Sequence, residues 1–301
     1  MVKEFKKLRF LTKRNIKLYF RDKMTFFVSL LTPMILVVLF LTFLKTTYES
    51  SLINAIPEGF EIGSNLIDAF SGAWLFSSIM AVSCITVAFC SNLMVEDKVK
   101  KISKDFSLAP IKKSTIDSSY VVSNFVTTFL VCLVLFAISL IYLLIVGWYI
   151  SFLDIILILA DMTLNILFGS LLMSIISLFV NSQGVFSGIC TLISSMYGFI
   201  CGAYMPIATM GSGMQAFVSF IPGTYSTVLF RKFYMNGILN EMGKTLPSEV
   251  VSSINESFDG TFKFFGTEVS TLAMFLVMIG TCVLLFGLFV LLVNLKNRKK
   301  K

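Results

Sequence analysis

Asp154 and Asp161 are the side chains of this sequence best placed to do chemistry, two carboxylates seven positions apart in an otherwise apolar stretch. Seven residues make two helical turns, so both fall on one helix face, and Asn165 continues the stripe. Asp154 belongs at a membrane interface and Asp161 inside the hydrocarbon. An intramembrane acid serves as a proton or substrate group unless a neighbour absorbs it. The expectation for Asp161 is a hydrogen-bonded packing contact, with the substrate or proton role as the alternative. There is no histidine, which removes histidine bases and histidine-held zinc or haem. Cys84, Cys90, Cys132, Cys190, Cys201 and Cys282 all lie in apolar stretches and read as small packing residues, not a disulfide framework. No catalytic residue and no metal site is expected.

Two motifs imitate function. The stretch GILNEMGKT from Gly237 to Thr245 resembles a phosphate-binding loop, but five residues separate its glycines where the loop has four. No apolar strand precedes it, and no other stretch would cradle phosphate, so ATP hydrolysis is not expected of this chain. Asn255, Glu256 and Ser257 match a glycosylation acceptor, a pattern short enough to arise by chance.

The elements that carry these residues are membrane spans. Hydrophobic residues make up 56% of the 301 positions and charged ones only 14%. The apolar residues fall in blocks of the length a bilayer core demands. Six transmembrane helices are expected, at 24–44, 66–94, 120–146, 152–180, 184–205 and 269–294. No cleavable leader is evident, because a charged segment precedes a first apolar block of full spanning length. Residues 1–23 carry nine Lys or Arg, 95–119 six and 295–301 five, so 20 of the 25 basic residues share one side. The positive-inside rule makes that side cytoplasmic, with both termini on it. The net charge of +8 therefore reports topology, and no nucleic-acid partner is expected. Trp148 and Tyr149 fall at the outer interface, as an aromatic belt would place them.

Within 1–23, Phe5, Leu8, Leu11, Ile16, Leu18 and Tyr19 fall on one helix face and a row of lysines and arginines on the other, Phe10 being the exception. That pattern fits an amphipathic helix lying on an anionic lipid surface. Pro33 is expected to kink the first span. The segment 95–119 is too polar to span and too long for a tight turn. Its first part is expected to be a short helix ending near Pro110, with Val99, Ile102, Phe106 and Leu108 as an apolar face among lysines. A docking element and a solvated basic loop both fit that pattern.

An acidic residue directly after the second span, a short helix, a proline about fourteen residues on and then a third span together resemble the ABC-2 family of transporter permeases. The run CGAYMPIATMGSGMQAFVSFIPGTYSTVLFR is similar to the end of that family's fifth span, carried here by Gly202, Tyr204, Pro206, Pro222 and Arg231. The resemblance implies an all-α, type V exporter-like permease fold. It makes 1–23 a connecting helix, 95–119 a cytoplasmic coupling segment and 206–268 an extracellular one. The coupling residues it implies are Glu96, Asp97, Lys98, Lys100, Lys101, Lys104, Phe106 and Pro110. The family often has Glu-Arg where this chain has Glu96-Asp97, which leaves open which acid meets the partner. The implied partners are a cytoplasmic ATPase subunit that binds ATP and magnesium, a second or related permease, and membrane lipid. The implied location is the cell membrane.

By span position in that family, Trp74, Phe76, Met80, Ser187, Met196 and Tyr197 would lie near a translocation path, with Asp161 close by. Gly184, Gly188, Gly198 and Gly202 form two small-xxx-small pairs, suited to packing inside the chain or between subunits. In 206–268, the apolar patch Met210, Met214, Phe217, Val218, Phe220 and Ile221 is expected to form a re-entrant or interfacial helix able to act as a lid over the exit. The expected function is ATP-driven alternating-access export of an amphipathic or lipophilic cargo such as a drug, a peptide or a lipid. The alternative is an ion-coupled carrier working alone, which predicts more intramembrane charge and internal repeats.

Overall fold

The computed structural model describes residues 2–57, 59–60, 62–91 and 93–298, with the side chains of Val2, Lys3, Thr32, Lys104, Ser107 and Asn297 left aside. Glu58 and Glu61 of the expected outer loop and Lys299, Lys300 and Lys301 of the tail lie outside the described residues. Among those described, six helices are long and apolar enough to cross a membrane. The chain is helical throughout except for one two-stranded hairpin, β1 (Lys263–Phe264) against β2 (Thr267–Glu268).

Helix α1 (Val2–Arg21) stops at Asp22, whose carboxylate accepts from the amides of Met24 and Thr25 and so caps the next helix. The Thr25 contacts hold that carboxyl below its ordinary value. The first span runs on through α2 (Lys23–Leu39), a π turn at Phe40–Leu44 and α3 (Lys45–Asn54), ten residues beyond the expected end. Helix α2 continues past Pro33. The π turn aims Phe40 inward, 5.5 Å from the Tyr48 ring and 5.9 Å from Trp74.

Helix α4 (Ser64–Cys90) is the axis of the bundle, buried almost along its full length. A helix apolar on every side has to be surrounded, and α2, α7 (Lys113–Val146), α8 (Phe152–Phe179), α9 (Gln183–Ile200) and α11 (Pro222–Met242) surround this one. Two asparagines fasten it. Asn124 on α7 donates to the Ala88 carbonyl at 3.1 Å, and Asn165 on α8 to that of Ala81 at 3.0 Å. In an apolar medium such side-chain amides hold helices together where hydrophobic burial cannot. Gly169 lets α8 approach, since a Cβ there would press on Ile85 and Ala88.

Most of the segment 206–268 is helical. The apolar patch forms only α10 (Ser212–Val218), with Met214, Phe217 and Phe220 exposed. The element inserted into the bundle is the next one, α11, packed against α4, α8 and α13 (Thr271–Arg298). Pro222 starts it, a position where the missing amide costs nothing. Gly223 and Gly237 admit it, for a Cβ would overlap the Tyr197 hydroxyl at the first and the Tyr149 carbonyl at the second. Helix α12 (Ser248–Ser257) and the hairpin then lead into α13. Both ends of the described chain reach the same end of the bundle, where Arg14 meets Asp97 and Lys296 meets the end of α8.

Candidate functional site

The segment between the second and third spans folds as two short helices, α5 (Leu93–Val99) and α6 (Ile102–Leu108), joined at Lys101 in the left-handed region, φ 63°. Helix α6 ends just before Pro110, as its sequence suggests. Two consecutive residues of α5 point into the protein. The Asp97 carboxylate is buried and accepts from Arg14 at 2.6 and 3.2 Å and from the Tyr120 hydroxyl at 2.6 Å. The Lys98 ammonium donates to the carbonyls of Ser177, Leu178 and Val180 at the end of α8. Neither is presented to a partner, so of the two acids at the entry only Glu96 stays partly exposed. It pairs with Lys100, and its carboxylate raises that ammonium above the ordinary lysine value.

Helix α1 fixes the segment along its length. Arg14 also lies 5.2 Å over the Phe106 ring, and Lys7 donates to the Pro110 carbonyl at 2.5 Å. Lys7 in turn pairs with Glu4, which accepts from Thr115 at 2.9 Å. Helix α1 is therefore held against the protein itself. Leu11, Asn15 and Tyr19, one turn apart in succession, are buried, and Asn15 donates to Ser119 on α7. Phe5 and Phe10 face outward. Among the described side chains of the segment, Val99, Lys100, Lys101, Ser103, Asp105, Leu108, Pro110, Lys112 and Ser114 are exposed. The side chain of Lys104 lies outside the described part.

The expected path residues do not converge on one space. Trp74, Phe76 and Met80 are packed in the core, Trp74 with its ring 4.2 Å from that of Tyr48 and Phe76 5.1 Å from Tyr142. Tyr197 is buried against Gly223, whereas Ser187 and Met196 are exposed on α9. An open cleft of about 450 Å³ does run between the first and fifth spans, lined by Val28, Phe89, Cys90, Ser187, Cys190 and Thr191 among others, none of them charged. Gly184 and Gly188 face away from the rest of the chain, with no atom within 4 Å of where a Cβ would stand. Gly198 and Gly202 instead make room for Tyr204 and Ile207 of their own turn.

Asp161 is fully buried, and Ser226 on α11 donates to it at 3.1 Å. Asp154 closes a capping box with Ser151 at the start of α8 and accepts from Asn236 at 3.0 Å. A third node is built on Arg231, which the sequence offered only as part of the fifth-span motif. The Arg231 guanidinium is fully buried, 4.4 Å from the Trp74 ring, and donates to Asp259 at 2.5 Å, the Gly202 carbonyl at 2.6 Å and Ser78 at 3.3 Å. Asp259 also accepts the Ile207 amide at 2.7 Å. One cation thus joins α4, the turn after α9, α11 and the loop after α12. A basic pair, Arg231 and Lys232, in an otherwise uncharged run from 206 to 240 was the available signal.

A family model described as ABC-2 type transporter matches residues 6–235. The chain belongs to the ABC-2 transporter family. No curated protein matches it significantly. Residues 6–235 take in most of α1, both α5 and α6, the cleft and most of α11, while Glu4, Asn236 and Asp259 fall outside the matched region. This ABC-2 permease is a multi-span membrane protein and a transport subunit without a catalytic domain.

Proposed function

We propose that this permease exports an amphipathic or lipophilic cargo from the cytoplasm, driven by a separate ATPase that docks on α5 and α6. Both termini and the docking segment are cytoplasmic in this reading, in keeping with the distribution of basic residues. The observation that carries it is the mounting of the segment. Its buried side holds α1 through Asp97 and Phe106 and α8 through Lys98, while Lys100, Lys101 and Leu108 are left outward. A solvated loop would not be anchored at both ends to two different helices. ATP and magnesium would bind the partner, whose two states favour inward- and outward-facing arrangements of the spans. The uncharged cleft between the first and fifth spans supports a lipophilic cargo and a path closed by a second permease. The ion-coupled alternative would need an acid on that cleft, and Asp161 lies in the core, away from it.

The test is co-purification in mild detergent. The unmodified chain should retain a nucleotide-binding protein. Reversing charge at Lys100 and Lys101 together should lower its recovery by about fivefold or more, as interface charges do, with little effect from reversing Lys299 and Lys300. Equal losses from both pairs would overturn the docking assignment.

A further inference from the structure

Lys98 opens a basic run whose next members, Lys100 and Lys101, are exposed, yet its own ammonium is turned onto the end of α8. It donates to three carbonyls there, those of Ser177, Leu178 and Val180. The last carbonyls of a helix lack intrahelical partners and carry the negative end of its dipole, so a cation is held there by charge and by hydrogen bonds together. A second cation reaches the same end. Lys296 on α13 donates to the Leu178 carbonyl. Both lysines cap α8, but only one belongs to the segment between the second and third spans.

We propose that Lys98 is the positioning residue through which movement of that segment is delivered to the fourth span. The proposal rests on the docking reading above and adds the route taken inside this chain. Asp97, next to it, ties the segment to α1 and α7. Lys98 supplies the link to α8, and α8 continues through residues 180–182 into α9, which lines the cleft. A push on α6 therefore reaches the cleft through a short rigid chain: segment, Lys98, the end of α8, α9. Lys296 caps the same carbonyl from α13, outside the segment, so it separates capping from transmission.

The experiment uses the permease purified with its ATPase in lipid nanodiscs, with Cys190 on α9 kept as the only cysteine. The maleimide labelling rate of Cys190 is compared with and without ATP plus vanadate, and ATPase retention is measured for each variant. The unmodified chain, Lys98→Arg and Lys296→Met should all show the nucleotide-dependent change. In Lys98→Met that change should fall by about tenfold, the scale of one lost charge-assisted hydrogen bond, with the ATPase still bound. A full response in Lys98→Met, or an equal loss in Lys296→Met, would overturn the proposal and leave Lys98 a helix cap. Failure of the unmodified chain to retain an ATPase would strike the docking reading itself, and the two failures are told apart by that retention.

Discussion

Arg14 and Asp97, 83 residues apart in sequence, form a two-point ion pair in which both terminal guanidinium nitrogens, Nη1 and Nη2, reach the one carboxylate. The Asp97 side chain keeps only 3% of its exposure, whereas that of Arg14 keeps 25%. Forked geometry makes the pair stronger than a single lysine contact would be. Removing the arginine alone would strand a buried carboxylate beside Tyr120. Arg14→Gln should therefore destabilise the detergent-solubilised protein by about 2 kcal/mol, the cost of a buried charged acceptor losing a donor. Breaking the exposed Glu96–Lys100 pair should cost far less, because solvent screens it. Thermal unfolding of Arg14→Gln, Glu96→Gln and the double variant measures both, and equal shifts would refute the ranking.

Arg231 and Asp259 bury opposite charges with almost no water contact, so each depends on the other. Arg231→Met should lower stability by about 3–5 kcal/mol because it leaves a buried carboxylate without its cation. Adding Asp259→Asn should recover part of that loss, since the stranded charge is then gone. Arg231→Lys should fall between, because an ammonium cannot serve Asp259, the Gly202 carbonyl and the Trp74 face in the planar geometry seen here. The unfolding midpoints of the three variants give the order, and failure of Asp259→Asn to help would show that the ion pair is not the cause.

The spans were legible because apolar blocks of bilayer length have no other stable use. Their ends were less so: nothing local distinguishes Lys45–Asn54 from a loop, and its helix persists because Tyr48 and Leu52 are buried against the second span. Helix α11 was missed for a related reason. Ser226, Arg231 and Asn236 give it the look of a soluble segment, and each finds its partner only in the folded bundle. The same holds for Asp97 and Lys98. A charge in a basic run reads as solvated, and the carbonyls that receive Lys98 lie about eighty residues further along the chain.

Asp161 offers a test between transport mechanisms. Its only donor among the described groups is Ser226, and it stands in the core away from the cleft. Asp161→Asn preserves shape and can still accept from Ser226. A packing role predicts that Asp161→Asn shifts the unfolding midpoint slightly, by about 1 kcal/mol or less in stability, and leaves ATP-driven transport near its original rate. Abolished transport with unchanged stability would revive the ion-coupled alternative.

Gly184 and Gly188 present a flat strip of α9 beside the cleft, with no part of their own chain against it. If a second permease closes the path there, the strip is where two backbones can come close, and a larger residue would push them apart. Gly188→Leu should then leave the unfolding midpoint unchanged while weakening association between permease copies by about tenfold, the scale of a lost close-packed contact. Gly237→Ala is the contrasting change. Its Cβ would meet the Tyr149 carbonyl, which cannot move without shifting the start of α8, so it should destabilise the fold by about 1–3 kcal/mol. Sizing by light scattering in nanodiscs, together with thermal unfolding, separates the two effects. A lowered midpoint for Gly188→Leu would place that glycine inside the fold and take the second permease away from this face.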